Sequence, residues 1–278
     1  MRDIWKWGVT MENKKEEIVL SRKKTIGNAS YPYHCHSGCE IYFFLSGNIR
    51  VYIEDKCFLP PPDSLIIFKP NQLHRIQSID ESMYERIVID LSEAYMNSIG
   101  EGKHWLFDCF LKKETGNLAT LDFSKREEIL SLCNMIEKNS YSKKPAAEVR
   151  KKAYMEILLA TVNEIYYTGR QHFQDAMPDL VVRTMMYVDH HLTETISFVQ
   201  MAEEFGLPLV VLREEFKKHI GLTLREYLLE RKLVNAKVML SRGASVTEAC
   251  YSSGFNDYAN FIRSFKKKEG VSPGKYRK

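Results

Sequence analysis

Residues 254–267 of this 278-residue chain read Gly254-Phe255-Asn256-Asp257-Tyr258-Ala259-Asn260-Phe261-Ile262-Arg263-Ser264-Phe265-Lys266-Lys267. The end of this stretch has a counterpart 49 residues earlier, where Phe216-Lys217-Lys218 corresponds to Phe265-Lys266-Lys267. The same offset relates Leu212 to Phe261 and Tyr227 to Tyr276. A repeat at a constant spacing indicates one helical unit that occurs twice in the chain.

Each copy of the repeat has the pattern of a short helix, a turn at a glycine and a longer second helix. The first copy places these elements at Phe198–Gly206 and Leu209–His219, and the second places them at Val246–Phe255 and Asp257–Glu269. A helix, a tight turn and a second helix form the helix-turn-helix motif. The second helix of such a motif fits the major groove of DNA, so the pattern predicts two reading helices.

The two predicted reading helices are amphipathic and basic. Leu212 and Phe216 in the first, and Phe261 and Phe265 in the second, share one face and are expected in the core. Lysines near the helix ends can reach phosphates; these are Lys217, Lys218, Lys266, Lys267 and Lys268. Residues 210–278 hold 15 Lys and Arg against 7 Asp and Glu, within a chain of net charge +4. This local excess favours a polyanionic partner; a solvated basic surface and a protein-binding helical adaptor are the alternatives.

Residues 180–278 resemble the DNA-binding domain of the AraC/XylS family of bacterial transcription regulators. The resemblance rests on residues 254–267 together with Gly270-Val271-Ser272-Pro273 and Tyr276-Arg277. It implies seven helices, in which a long helix from about Thr223 to Leu240 joins two helix-turn-helix units that address successive major-groove segments. The base-reading positions that the resemblance implies are Val210, Arg213 and Glu214 in the first unit, and Tyr258, Ala259, Asn260 and Arg263 in the second.

The side chains at these positions predict which bases each unit reads. Arg213 and Arg263 suit guanine, and Asn260 suits adenine. Glu214 suits the amino group of cytosine, and Val210 suits the methyl group of thymine.

The first unit departs from the family pattern at the start of its reading helix. Pro208 stands where the family usually has a serine N-cap, and the first turn, Leu209-Val210-Val211, is apolar. Proline is compatible with the first turn of a helix, so the fold is retained. Glu214 and Glu215 repel phosphate, which weighs against the base contacts of the first unit. Because the second unit carries Arg263 and a run of lysines, we expect it to contribute more of the DNA affinity.

The N-terminal part of the chain alternates short β-branched and aromatic runs with turns. Examples of such runs are Glu40–Leu45, Ile49–Ile53, Ser64–Phe68 and Tyr84–Ile89. Strands at this regular spacing predict a small barrel or sandwich over about residues 15–90.

Two amphipathic helices are predicted after the strands, at Ser124–Asn139 and Glu148–Tyr167. Each has an apolar stripe that needs a partner, for which the sheet is the first expectation and a dimer interface is the second. The stripe residues are Ile129, Leu132, Cys133 and Ile136 in the first helix, and Tyr154, Ile157, Leu158, Val162 and Ile165 in the second. A linker is predicted at Gln171–Pro178.

The predicted barrel carries the spacing His-x-His-x3-Glu-x6-Gly, formed by His34, His36, Glu40 and Gly47, with His74 further along the chain. This spacing resembles the cupin barrel, whose metal-binding members use such a set, so the resemblance implies a divalent transition metal at His34, His36, Glu40 and His74. The alternative is a metal-free pocket for a small, sugar-like effector. The predicted effector-binding residues are His34, His36, Glu40, Tyr42, Tyr52, His74, Tyr84 and Arg86.

Three further features of the sequence bear on the location of the protein and on whether it associates with a membrane. No apolar run approaches the ~18 residues of a spanning helix, and the N-terminus lacks the apolar stretch of a signal peptide. Six cysteines in such a chain are expected to be free thiols. We therefore expect a cytoplasmic protein without a membrane association.

The sequence predicts an α+β protein of two domains, an N-terminal cupin-like barrel followed by amphipathic helices and a C-terminal all-α domain with two helix-turn-helix units. The predicted segments are an effector-sensing domain at 1–110, a helical dimerisation segment and linker at 111–178, and a DNA-binding domain at 179–278. The predicted function is a homodimeric transcription regulator that binds promoter DNA and a small-molecule effector, and that contacts RNA polymerase if it is an activator. The alternative is a metal-dependent cupin enzyme with an appended DNA-binding domain.

Overall fold

The structure is a computed structural model that describes residues 17–26, 33–54, 56–100, 102–112, 117–168 and 177–277. The chain divides into two compact units, of which one is Glu16–Val182 and the other contains Arg183–Lys278. The linker predicted at Gln171–Pro178 lies outside the described residues except for its last two positions. Among the described residues, no helix combines the length and the apolar character that spanning a bilayer requires.

The described residues of the N-terminal unit form two antiparallel sheets. One has the strand order β1-β7-β2-β5-β8 and the other has the order β4-β3-β6. The strands are β1 (Ile18–Thr25), β2 (Cys39–Ser46), β3 (Ile49–Ile53), β4 (Lys56–Phe58), β5 (Ser64–Phe68), β6 (His74–Ser78), β7 (Tyr84–Leu91) and β8 (Leu118–Thr120).

Side-chain alternation along β2 gives this strand two buried faces. Tyr42 and Phe44 join an apolar cluster with Val51 and Ile76 of the smaller sheet, so the two sheets pack face to face. Phe43 and its same-face neighbours join a different cluster on the outer side of the larger sheet. The predicted cupin-like barrel is confirmed.

Helices cover the outer side of the larger sheet. They are α1 (Glu93–Ser98), a 3-10 turn at His104–Phe107, α2 (Asp108–Leu111), α3 (Phe123–Ser140) and α4 (Pro145–Thr168). Ile129 and Cys133 of α3 and Leu158 and Val162 of α4 are buried in one cluster with the strands. The apolar stripes therefore pack on the sheet, as first expected.

One residue of the predicted stripe on α4 faces solvent instead. Ile157 is 50% exposed, although the stripe was expected to be buried. The buried face of α4 is centred on Met155, Leu158, Leu159 and Val162. With 3.6 residues per turn, Ile157 falls on the opposite side of the helix.

The described residues from Asp179 onward form seven helices, the number that the family resemblance implies. They are α5 (Asp179–His190), α6 (Phe198–Glu204), α7 (Leu209–Ile220), α8 (Leu224–Ser241), α9 (Val246–Ser252), α10 (Tyr258–Glu269) and α11 (Pro273–Tyr276). Helix α8 begins with a capping box in which the Thr223 side chain and Glu226 satisfy each other's backbone groups.

The sequence repeat is also a structural repeat. The rings of Phe216 and Tyr227 lie 5.2 Å apart at 69°, and the corresponding rings of Phe265 and Tyr276 lie 5.3 Å apart at 80°. Each pair fastens the end of a reading helix to the helix that follows it. The repeat therefore preserves a packing contact as well as a sequence pattern.

Candidate DNA interface and barrel site

The first reading helix, α7, presents its predicted base-reading side chains to solvent. Leu212 and Phe216 are fully buried on the inner side of the helix. Val210, Arg213 and Glu214 are all exposed on the other side. Because helical positions three or four apart share a face, burial of the two apolar residues orients the reading positions outward.

The second reading helix, α10, repeats this arrangement. Phe261 and Phe265 are fully buried, and the side chains predicted to read bases are exposed: Tyr258, Ala259, Asn260 and Arg263. Asp257 caps the helix by accepting a hydrogen bond from the backbone N–H of Asn260 at 2.9 Å.

The two reading helices differ in how their basic groups are engaged. In α7, Lys218 forms an ion pair with Glu215 at 3.2 Å, and His219 lies 3.4 Å from the same carboxylate. In α10, Lys266 and Lys267 are exposed and form no ion pair with the residues that the structure describes. The second helix therefore offers more uncompensated positive charge to a phosphate.

Ion pairs hold α10 against α8. Lys237 is almost completely buried and lies 3.2 Å from a carboxylate oxygen of Glu269. Lys268 lies 2.6 Å from a carboxylate oxygen of Glu230. The end of α10 is thereby fixed on its inner side, while its outer side stays accessible.

A cleft of about 420 Å³ lies beside the first reading helix. Three of the residues that line it are basic and one is acidic. The lining residues are Phe198, Arg213, Glu214, Lys217, Thr223, Leu224 and Arg225. The cleft therefore borders the predicted DNA-reading surface of α7.

In the barrel, the structure brings together the four residues that the cupin-like spacing predicted as a metal set. His34 forms an isolated β-bridge with His74, and their rings lie 4.4 Å apart. His36 Nε2 lies 2.8 Å from Glu40 Oε2, and His74 Nε2 lies 3.6 Å from the same oxygen. The His74 ring stacks on Phe68, with the ring centroids 3.9 Å apart.

Backbone carbonyls fix the orientation of two of these imidazoles. His74 Nδ1 lies 2.9 Å from the carbonyl oxygen of Gln72, and His36 Nδ1 lies 3.1 Å from that of Gly38. A carbonyl only accepts hydrogen bonds, so we assign a proton to each Nδ1. The Nε2 atom of each ring is thereby turned toward Glu40. His74 Nε2 is buried and has no hydrogen-bond partner among the described residues.

Asp90 on β7 is a fifth member of the group, and sequence reasoning missed it. Asp90 lies directly opposite Glu40 in the antiparallel pairing of β7 with β2. The ligand-type atoms of His36, Glu40 and Asp90 all lie within 4.8 Å of one another, as do those of His34, Glu40 and His74. We call these five residues, His34, His36, Glu40, His74 and Asp90, the barrel cluster.

The charges in the barrel cluster shift its pKa values in opposite directions. Burial would raise the pKa of Glu40, but the hydrogen bond with His36 and the neighbouring imidazole of His74 hold it well below its usual range. Burial, followed by the negative charge of Glu40, raises the pKa of Asp90 to about 6. Burial would lower the pKa of His36, but Glu40 and Asp90 outweigh it and raise that pKa. The cluster therefore has one strongly acidic carboxylate beside a carboxylate that resists ionisation.

The other predicted effector residues lie in three different places. Tyr42 shares a face of β2 with Glu40, and its ring lies 6.2 Å from the ring of Phe68, on which His74 stacks. Tyr84 and Arg86 share the inward face of β7 with Asp90, but Arg86 is four residues from Asp90, which is about 13 Å along a strand. The guanidinium of Arg86 lies over the Tyr84 ring at 4.3 Å.

Tyr52 does not join the other predicted effector residues. The pairing of β3 with β6 sets Ile53 opposite His74 and Tyr52 opposite Arg75. Alternate residues of a strand point to opposite faces, so Tyr52 lies on the outer face of the smaller sheet. Its ring packs there against Arg75 and Tyr33. The prediction that Tyr52 lines the pocket is therefore wrong.

Comparison with known families matches both units of the chain. The model of the AraC-like ligand binding domain matches residues 24–140, and the model of a helix-turn-helix domain matches residues 201–278. The first match contains the barrel cluster, and the second contains both reading helices.

Curated relatives match in part of their length. The chain is 30% identical to the HTH-type transcriptional activator RhaS of Escherichia fergusonii over 129 residues, which is 46% of this chain and 45% of that protein. It is 29% identical to RhaS of Salmonella schwarzengrund over 130 residues, with the same shares. The match thus spans somewhat less than half the length of these relatives.

Among solved structures, ToxT from Vibrio cholerae with a bound unsaturated fatty acid is similar over 96% of this chain and 97% of that chain. The TM-score of this similarity is 0.40, and the sequence identity is 14%.

Proposed function

Because this chain belongs to the AraC family and carries both an AraC-like ligand-binding domain and a helix-turn-helix domain, we propose that it regulates transcription by binding promoter DNA under the control of an effector in the barrel. The observation that carries the proposal is the exposure of every predicted base-reading side chain on α7 and α10. We infer regulation, with no enzymatic role for the barrel, because the curated relatives are named as transcriptional activators.

The chemistry of DNA reading follows from the exposed side chains. Arg263 and Arg213 can each donate two hydrogen bonds to a guanine edge, and Asn260 can pair with adenine. Lys266 and Lys267 extend from the end of α10, where they can contact phosphates and fix the position of the helix. Specificity would come from the base contacts, and affinity would come mainly from the phosphate contacts.

Selection of bound sequences from random duplex DNA tests this function directly with the full chain. We expect an enriched site with two conserved segments, bound less tightly as salt increases. A chain with Arg263→Ala should lose specificity in one of the two segments, whereas Lys138→Ala, which removes an exposed positive charge from α3 of the other unit, should leave the enriched site unchanged. Recovery of no enriched sequence at low ionic strength would contradict the proposal.

The effector is proposed to bind in the barrel between the two sheets. A ligand shifts an equilibrium only if it binds one arrangement of the protein better than another. An effector therefore has to change DNA affinity, half-site choice or transcription when it binds. A ligand that occupies the barrel and changes none of these would contradict the regulatory assignment.

We propose that the protein is a homodimer that forms through α4. Val149 is 70% exposed and Ile157 is 50% exposed, and the exposed Ala153 lies between them at four-residue spacing. These three residues form an apolar stripe that a second copy of the helix can bury.

Light scattering after gel filtration tests the dimer. We expect the molar mass to fall from that of a dimer toward that of a single chain when Ile157 is changed to Glu. The control Tyr141→Glu changes a residue that is 81% exposed but lies beyond the stripe, and it should leave the mass unchanged. An unchanged mass for Ile157→Glu would contradict the proposed interface.

We further propose that the protein is an activator, as the curated relatives are named, and that it acts in the cytoplasm and contacts RNA polymerase. Transcription in vitro from a promoter that carries the selected site tests this role. Added protein should increase the transcript in proportion to site occupancy. A decrease would reverse the sign of regulation and would leave the DNA-binding assignment intact.

A further inference from the structure

We propose that the cleft beside α7 binds a phosphate group of the DNA backbone, and that Arg225, in the first turn of α8, is one of the residues that hold it. The inference rests on the proposed function, since it names the part of the duplex that occupies the cleft. Arg225 lies outside both reading helices, and neither the repeat nor the family resemblance described above gives it a contact with DNA.

The cleft gathers positive charge from two helices. Arg213 and Lys217 reach it from α7, and Arg225 reaches it from the start of α8. Its volume of about 420 Å³ lies in the range of small-ligand sites. Several cations around one concave surface reinforce each other's field, so the cleft attracts an anion more strongly than the same charges would on a flat surface.

The three cationic groups of the cleft are accessible to a ligand. All three side chains are exposed, and none of them forms an ion pair with a residue that the structure describes. The next lysine along α7 differs in this respect, because Lys218 is paired with Glu215 at 3.2 Å. A phosphate can therefore contact the cations of the cleft without displacing an existing ion pair.

Two carboxylates near the cleft reduce its positive charge without cancelling it. Glu214 lines the cleft beside the three cations. Glu226 follows Arg225 in α8, and its carboxylate accepts hydrogen bonds of 2.8 Å from both the backbone N–H and the hydroxyl group of Thr223. Three cations against two carboxylates leave this group with a net charge of +1.

Arg225 occupies a position at which the helix itself disfavours a positive charge. It follows Leu224 in the first turn of α8, and the helix dipole makes a cation in the first turn unfavourable. Negative charge is favourable there, as for Glu226 in the same turn. A phosphate bound beside Arg225 would offset the cost of the arginine.

The second helix-turn-helix unit lacks both arginines of the cleft. At the offset of 49 residues, Arg213 corresponds to Ile262 and Arg225 corresponds to Gly274. Ile262 is partly buried and packs against the apolar cluster of its unit. The shared scaffold therefore does not require arginine at either position, and packing does not explain why the first unit has two.

The reading surface of α7 brings the DNA backbone next to the cleft. Arg213 and Glu214 belong both to the cleft lining and to the predicted base-reading positions. The major groove is about 12 Å wide, so a helix that lies in it has a phosphate backbone on either side. Arg225 is the residue to test, because it is not expected to touch a base and Arg213 is.

The salt dependence of DNA binding tests Arg225 in the full chain. We expect Arg225→Ala to weaken binding to the selected duplex by about tenfold, as loss of a hydrogen bond to a charged group does. It should also reduce the slope of log K against log salt by about 1. Arg225→Lys keeps the positive charge and should keep the slope. The matched control is Arg242→Ala, an exposed arginine at the other end of α8, which should change neither value.

Thermal unfolding separates a contact with DNA from a structural role of Arg225. Removal of a cation from the first turn of α8 should leave the Tm of the free protein unchanged or slightly higher. A lower Tm together with weaker DNA binding would show that Arg225 supports the fold, and would overturn the assignment.

Duplexes with a single neutral methylphosphonate locate the phosphate. Each backbone phosphate of the segment that α7 contacts is replaced in turn. At one position, the replacement should weaken binding by the parent chain about as much as Arg225→Ala does, and it should weaken binding by the variant no further. Additive losses at every position would show that Arg225 does not contact the backbone.

Inorganic phosphate tests a second source of the same chemistry. Added phosphate is compared with chloride at the same ionic strength. If phosphate raises the Tm of the parent chain but not that of Arg225→Ala, and no backbone position depends on Arg225, the cleft binds a soluble phosphate compound and the assignment to DNA is wrong.

The same measurements distinguish failure of this inference from failure of the proposed function. If the parent chain and Arg225→Ala bind the selected duplex equally well, the inference is wrong and the proposed function stands. If the parent chain binds no duplex at low ionic strength, both fail.

Discussion

The two helix-turn-helix units of this chain share a scaffold and differ in the surface that meets DNA. The Phe216–Tyr227 and Phe265–Tyr276 ring pairs have almost the same geometry, and both reading helices end at a glycine with positive φ, 79° at Gly221 and 73° at Gly270. The helix starts are different, because Asp257 caps α10 through its side chain and Pro208 makes no such hydrogen bond to α7. The duplication has therefore kept the packing and let the reading surface diverge.

The largest expected difference between the units is at their turn glycines. A Cβ at Gly254 would lie 2.1 Å from the carbonyl oxygen of Leu192, whereas a Cβ at Gly206 would meet no heavy atom within 4 Å. Both residues have positive φ. We expect Gly254→Ala to cost several kcal/mol of unfolding free energy, because backbone must move, and Gly206→Ala to cost about 1 kcal/mol.

Urea unfolding followed by far-UV circular dichroism measures both glycine variants in the full chain. Equal losses of unfolding free energy in the two variants would show that the two turns are equivalent, and would contradict the predicted difference between them.

The next effect concerns DNA affinity. We expect Arg263→Ala to weaken binding by about 1–3 kcal/mol, as loss of a two-hydrogen-bond contact to guanine does. Arg213→Ala should cost less, because the carboxylates of Glu214 and Glu215 on the same helix already oppose phosphate contact. Fluorescence anisotropy with the selected duplex, at fixed salt, gives both values. A greater loss from Arg213→Ala would reverse the ranking of the two units.

The smallest effect concerns the helix starts. Asp257→Ala removes the side-chain acceptor of the Asn260 N–H, and such a change costs about 1 kcal/mol. Pro208→Ala removes no capping hydrogen bond, so we expect a change within about 0.5 kcal/mol. The same urea titrations measure the pair. If the proline variant loses as much as the aspartate variant, the start of α7 is stabilised by an interaction other than a cap.

The C-terminal fold could be predicted closely because its signals are local. The helical spacing of Leu212 and Phe216 predicts that both side chains are buried. With these two residues in the core, the 3.6-residue period gives the positions of α7 that are exposed. The fixed offset of 49 residues then transfers the same assignment to α10.

The barrel site could be predicted only in part, because its remaining contacts depend on strand register. The spacing of His34, His36 and Glu40 is visible in the sequence, but Asp90 enters the cluster through pairing with a strand some 50 residues away. Tyr52 was misplaced for the same reason, since its face is set by its partner Arg75 and not by its neighbours in the chain. A shift of one residue in a register moves every side chain to the other face.

Helix α8 joins the two helix-turn-helix units and determines the distance between them. Its 18 residues span about 27 Å, and ion pairs from Lys237 and Lys268 clamp it to α10. A rigid helix of this length fixes the distance between the two DNA segments that α7 and α10 contact. It also fixes the rotation of these two subsites about the DNA axis. One base pair inserted between those subsites would turn one of them by about 35° relative to the other. A DNA site altered in this way could contact only one of the two reading helices, α7 or α10, at a time.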